Sequence, residues 1–167
     1  MTSEDSDLRS ALLLEEASYS YLMSQPPLYR KYAFHIVLAG HRYSKCGQRK
    51  HAFRCYKQAY QVFENRGWSL AEDHIQYTIG KQAVTLKKLD EASSSLAHLL
   101  RPSSLQSCNQ QAAFLREYIA TQKTLLNQSD GELLLDISLP KIVHNLTRVL
   151  VTSHPPIAQP NLVPATN

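Results

Sequence analysis

Glycine is scarce, five in 167 residues, and the five are scattered. Sandwiches and barrels need many turn glycines, so the shortage argues for helices. No apolar run approaches the ~18–20 residues of a membrane span. The first seven residues, Met1 to Asp7, are polar and acidic, unlike a secretory or transit leader. Cys46, Cys55 and Cys108 are odd in number and lack metal-like spacing, which reads as reduced thiols in a cytosolic protein. There is no G-x-G-x-x-G, no G-x-x-x-x-G-K-[ST], no H-E-x-x-H and no C-x-x-C. Nucleotide and zinc chemistry therefore lack their usual signatures, no cofactor is expected, and no catalytic residue can be assigned. His41 and His51 fall on different helices with Cys46 in the turn between them, which reads as surface; only their convergence in space would favour an enzyme.

Acidic residues are also missing from one long stretch. Between Glu16 and Glu64 there is none, while Arg30, Lys31, Arg42, Lys45, Arg49, Lys50, Arg54 and Lys57 all lie there. The whole chain carries a net charge of +4. A solvated helix face is the plainest account of this stretch. An acidic protein partner or anionic lipid headgroups come next, since each Lys or Arg near such a membrane contributes about 1 kcal/mol. Nucleic acid ranks last, because the interleaved Tyr29, Tyr32, Tyr43 and Tyr56 follow the helix-packing period and are expected inside.

What is present is helical punctuation. A 43% hydrophobic and 19% charged composition suits a soluble folded chain. The 3.6-residue period predicts helices over 7–23, 28–46 and 48–64. Pro26-Pro27 stops the first, and Gly47 ends the second as a left-handed cap. Cys55 falls on the apolar stripe of the third. Ser69-Leu-Ala-Glu72 has the capping-box pattern and should open a fourth helix. Asp90 is the expected N-cap of a fifth, ending at Pro102, and a sixth is predicted over 109–126.

Beyond Asn127 the texture changes. Residues 133–139 and 146–152 read as short strands, and residues 154–167 as a proline-rich disordered tail. The expected organisation is a helical segment over 1–127, the start of a truncated β region over 128–153, and the tail.

The helices repeat. Gly40 precedes Ala52 by twelve residues, Gly80 precedes Ala92 by twelve, and the two copies are offset by forty. Gly40, Tyr43, Gly47, Ala52, Tyr56 and Ala59 sit at tetratricopeptide spacings. Small residues let the helices of a hairpin approach, and aromatics fill the space between hairpins. The second copy keeps Gly80, Ala92, Leu96 and Leu99 but loses the tyrosines. The expected fold class is all-α: tetratricopeptide-like hairpins forming an α-solenoid segment, with a plain helical bundle as the alternative.

Several blocks carry a resemblance. Arg30-Lys-Tyr-Ala-Phe-His35, Leu38-Ala-Gly-His-Arg42, Lys50-His-Ala52, Arg54-Cys-Tyr56 and Gly67-Trp-Ser-Leu-Ala-Glu-Asp-His-Ile75 resemble the subunit-8 family of the transport protein particle (TRAPP) tethering complexes. Ile79-Gly80, Leu89-Asp90, Ala92 and Ala113-Phe-Leu-Arg-Glu-Tyr118 continue it. The resemblance implies a large cytosolic protein with a helical solenoid followed by β-sandwich domains, belonging to the TRAPP III form. It implies other TRAPP subunits as partners, an indirect link to a Rab GTPase, and a place in ER-to-Golgi traffic and autophagosome formation. Nucleotide exchange belongs to the small core subunits, so the role implied here is attachment and membrane targeting. Residues 1–10 resemble an internal stretch of the family, so the chain is expected to be a fragment. The competing reading is a free-standing adaptor that binds acidic peptides or RNA through the basic residues.

Overall fold

A computed structural model describes residues 3–101 and 104–128. They form six helices: α1 (Ser3–Leu22), α2 (Tyr29–Lys45), α3 (Arg49–Phe63), α4 (Ser69–Thr85), α5 (Leu89–Leu99) and α6 (Cys108–Gln128). No strand occurs among the described residues. The strands expected over 133–139 and 146–152 and the proline-rich tail lie outside them.

Each helix packs on the next in sequence. Neighbours run antiparallel, as the bond between Asp7 near the start of α1 and Arg42 near the end of α2 shows. Side chains also tie alternate helices: Glu15 of α1 to Arg54 of α3, Ser44 of α2 to Gln82 of α4, and Tyr77 of α4 to Glu117 of α6. The period-3.6 stripes make this possible. In α2 the buried residues are Tyr32, Ala33, Ile36, Ala39, Gly40 and Tyr43; in α3 they include Ala52, Cys55, Tyr56, Ala59 and Phe63. Ile75, Ile79, Ala83 and Ala92 continue this core, and Leu96, Leu99, Phe114 and Tyr118 form a second cluster under α6. Leu12 and Leu13 stay exposed on the outer side of α1.

The forty-residue offset extends to the backbone. α2 and α4 begin at Tyr29 and Ser69, and α3 and α5 at Arg49 and Leu89. After α2, Gly47 turns left-handed (φ 75°), the Gln48 N–H donates to Tyr43 O at 2.8 Å, and the Gly47 N–H donates to Ser44 O at 3.3 Å. After α4, Lys87 turns left-handed (φ 59°), Lys88 N–H donates to Ala83 O at 2.9 Å, and Lys87 N–H to Val84 O at 3.1 Å. Both ends use the same two-bond C-terminal motif, which satisfies two otherwise orphaned carbonyls. The second copy makes it without glycine.

Two expected caps are absent. α4 is preceded by Trp68 and α5 by Lys88 as the capping residues, neither with a side-chain cap bond, so Ser69 and Asp90 already lie within their helices. Tyr29 is a further correction: it is 54% exposed, because it lies at the first residue of α2, beyond the reach of the neighbouring helices. Phe34, on another side of α2, is likewise exposed.

Candidate functional site

The eight cations of the acid-free stretch do not form one open face. Arg42 binds Asp7 at 2.7 Å, Lys57 binds Glu91 at 2.7 Å, and Arg54 Nη2 reaches Glu15 Oε1 at 2.8 Å. Their carboxylates come from α1 and α5, outside the stretch. Lys45, Arg49 and Lys50 are exposed around the α2–α3 turn, whereas Arg30 and Lys31 lie in the first turn of α2, at the opposite end of that helix. Arg30 stacks over Trp68 at 5.1 Å and Lys31 over Tyr21 at 5.6 Å.

Glu15 is the hub of three helices. Beside Arg54, it accepts from the hydroxyls of Tyr43 at 2.8 Å and Tyr19 at 3.2 Å. Burial alone would raise its pKa, but these donors and the guanidinium charge outweigh it, so the carboxyl sits below its ordinary value.

A second polar hub lies between α4 and α5. Glu72, 4% exposed, takes His98 Nε2 at 3.0 Å and Arg101 Nη2 at 3.4 Å. Adjacent Asp73, also buried, accepts from Gln106 Nε2 at 2.9 Å and faces Arg101 at 3.7 Å. Burial, helped by the charge of Arg101, lowers the pKa of His98 despite Glu72, so the neutral ring donates its Nε2–H to the carboxylate. Glu72, expected to close a capping box, instead looks across to the next helix and the loop after it.

The repeat positions meet in pairs. A Cβ on Gly40 would lie 2.7 Å from Tyr56 Cε1, while one on Gly80 would lie 3.4 Å from Leu96 Cγ. Tyr56 and Leu96 are themselves forty residues apart. Ala52, Ala59 and Ala92 are fully buried beside them, and Tyr43 is turned to Glu15.

His41 is turned to Tyr56 and His74, whereas Cys46 and His51 both contact Tyr43, one at its carbonyl and the other at its ring. His41 Nδ1 is 2.9 Å from the Tyr56 hydroxyl, and its Nε2 is 3.4 Å from His74 Nε2. Burial first, then the charges of His74 and Lys45, lowers the His41 pKa. Cys46 Sγ donates to Tyr43 O, and His51 stacks on the Tyr43 ring. Cys55 is buried, and its thiol is pushed up to about 12 by desolvation and then by Glu15, which keeps it protonated and inert. Among the described residues no group of three or more His, Cys, Asp or Glu could hold a metal ion, and no helix is long and apolar enough to cross a membrane.

Sequence reasoning missed the roles of Glu15, Asp73 and Trp68, and gave Glu72 only a capping one. The partners that tie the three carboxylates across helices lie 26 to 39 residues away, so no local signal points to them. Trp68 had one: a lone tryptophan directly after a turn glycine, in an otherwise polar segment.

Helices joined in sequence order and tied by internal carboxylate hubs define an all-α packing segment, with its polar groups directed at one another. No protein-family model matches the chain. Over 149 residues, 89% of its length, it is 55% identical to human trafficking protein particle complex subunit 8. The chain belongs to that subunit-8 family, and it spans 10% of the length of the human protein.

Proposed function

We propose that this chain is a non-catalytic scaffold segment of a TRAPP III subunit, built as a tetratricopeptide-like α-solenoid. Its partners are other TRAPP subunits, and its link to a Rab GTPase is indirect, through the subunits that carry out exchange. It serves ER-to-Golgi transport and autophagosome formation from the cytoplasmic side, held peripherally on Golgi or ER–Golgi intermediate membranes. The carrying observation is the 55% identity over nearly the whole chain. The arrangement of polar groups supports the reading: Glu15, Glu72 and Asp73 are all engaged inside the fold. The exposed cations Lys45, Arg49 and Lys50 are the residues of the basic stretch best placed to touch an anionic membrane.

The test is to tag the endogenous protein, purify it gently, and identify its size and companions by mass spectrometry. TRAPP core subunits should accompany it. A stable 18.9 kDa protein without them would remove this reading and bring the free-standing adaptor forward.

A further inference from the structure

One concave surface combines unpaired cations with half-exposed aromatics. It is a groove of about 660 Å³ between the first turn of α2 and the α3–α4 turn. Tyr29, Arg30, Lys31, Phe63, Arg66 and Trp68 line it, with apolar Pro27, Leu28 and Val62, and no carboxylate contributes. Trp68 is 47% exposed, an unusual state for so large an apolar side chain, and Tyr29 is more open still. Trp68 is nonetheless held in place, with Phe63 at 6.4 Å on one side and the Arg30 guanidinium at 5.1 Å over its ring.

The charges around it contrast with the rest of the basic stretch. Arg42, Arg54 and Lys57 are matched by carboxylates of α1 and α5. None of the ion pairs among the described residues uses Arg30, Lys31 or Arg66. Three cations thus ring an aromatic floor with no internal counter-charge. Interface hot spots have this composition, with Trp, Tyr and Arg over-represented.

We propose that this groove docks an acidic peptide segment of a partner protein, with an apolar or aromatic side chain seated on Trp68 and Tyr29. Arg30, Lys31 and Arg66 take the flanking carboxylates. The inference rests on the scaffold reading and names the partner chemistry for one part of it. A bilayer is the other anionic surface to consider, but it is flat, whereas the apolar floor lies in a recess. An extended segment can lay a side chain into that recess and keep its carboxylates at the rim.

The sole tryptophan makes the test direct. The 167-residue chain is titrated with acetyl-Asp-Glu-Asp-Phe-Glu-Asp-amide, and Trp68 emission is followed; the Asn/Gln analogue of the peptide is the control. A saturable change with the acidic peptide is expected, weakened about tenfold in Arg30→Glu and in Arg66→Glu. It should also weaken as salt is raised from about 0.05 to 0.5 M. Circular dichroism checks that each variant is folded, and if Arg30→Glu is not, exposed Arg66→Glu decides. No saturable change, an equal response to the neutral analogue, or indifference to both reversals would overturn the proposal. So would phosphatidylserine vesicles shifting Trp68 where the peptide does not. TRAPP companions without a peptide response would sink the docking site alone; a peptide response without companions would sink the scaffold reading alone.

Discussion

Glu72 Oε1 lies 3.0 Å from His98 Nε2, and this bond ties the first turn of α4 to the last turn of α5. Since burial and Arg101 lower the pKa of His98, the folded chain resists protonation there while the unfolded chain takes up its proton near 6.5. Above that pH both states are neutral and nothing is lost. Below it the unfolded state binds more protons, so stability should fall as pH drops through about 6.5. His41 is shifted in the same direction and adds to the effect. The lowered carboxyls Glu15 and Glu91 act only further down, as pH falls below 4.5. Urea midpoints at about pH 7.5 and 5.5 should therefore differ, and His98→Gln should narrow the gap. Equal midpoints in the native chain would refute a neutral, half-buried His98.

Two glycines at equivalent places should answer alanine with opposite signs. Gly40→Ala puts a methyl 2.7 Å from the buried Tyr56 ring, which must shift, at a cost of roughly 1–3 kcal/mol from overpacking. Gly80→Ala meets Leu96 at 3.4 Å and gains close to ~1 kcal/mol of helix propensity. Thermal melts should show the first variant less stable and the second equal or better. A loss at Gly80 as large as at Gly40 would mean that the second hairpin is packed as tightly as the first.

Lys87 holds a left-handed backbone that glycine adopts without steric cost. Lys87→Gly should stabilise the chain by about 1 kcal/mol, minus a few tenths for added freedom in the unfolded state. Denaturant curves check this, and a destabilised variant would place the lysine side chain in an unrecognised contact.

Glu15→Ala strips one carboxylate from Tyr43, Tyr19 and Arg54 together, and should cost about 2–3 kcal/mol. Asp7→Ala, whose partner Arg42 is well exposed, should cost less than ~1 kcal/mol. The ratio between the two losses, read from chemical denaturation, is the decisive quantity.

Thiol labelling should proceed in the order Cys108, Cys46, Cys55, following exposed, half-buried and buried positions. Modification of Cys55 should wait on unfolding, since its thiol is held at about 12. Mass-resolved alkylation under native conditions would expose any other order.

The helices were legible because their signals are local. Apolar stripes at period 3.6, Pro26-Pro27 and Gly47 placed the middle elements within a few residues of where they lie. α1 begins earlier than expected, at Ser3 rather than Asp7, because an acidic first turn suits a helix N-terminus as well as a loop. Ser69-x-x-Glu72 misled for a physical reason: a capping box offers one local bond, while His98 and Arg101 offer Glu72 two partners in a buried site. The basic stretch misled similarly. It is free of acid along the chain but not in space, since Asp7, Glu15 and Glu91 fold over it. Trp68 shows the limit from the other side: its residue type was visible, but not the recess that gives it neighbours.

The order in which the helices pack bears on kinetics. No side-chain hydrogen bond among the described residues spans more than 40 positions, that of Tyr77 with Glu117. Closing such short loops costs little entropy, so native contacts should form early and quickly, and no step must wait for distant ends to meet. Among the described residues the same locality leaves no side-chain strap from one end of the six helices to the other. Opening at α6 leaves the bonds among α1, α2 and α3 untouched, so hydrogen exchange should spread inward from one end rather than strike everywhere at once.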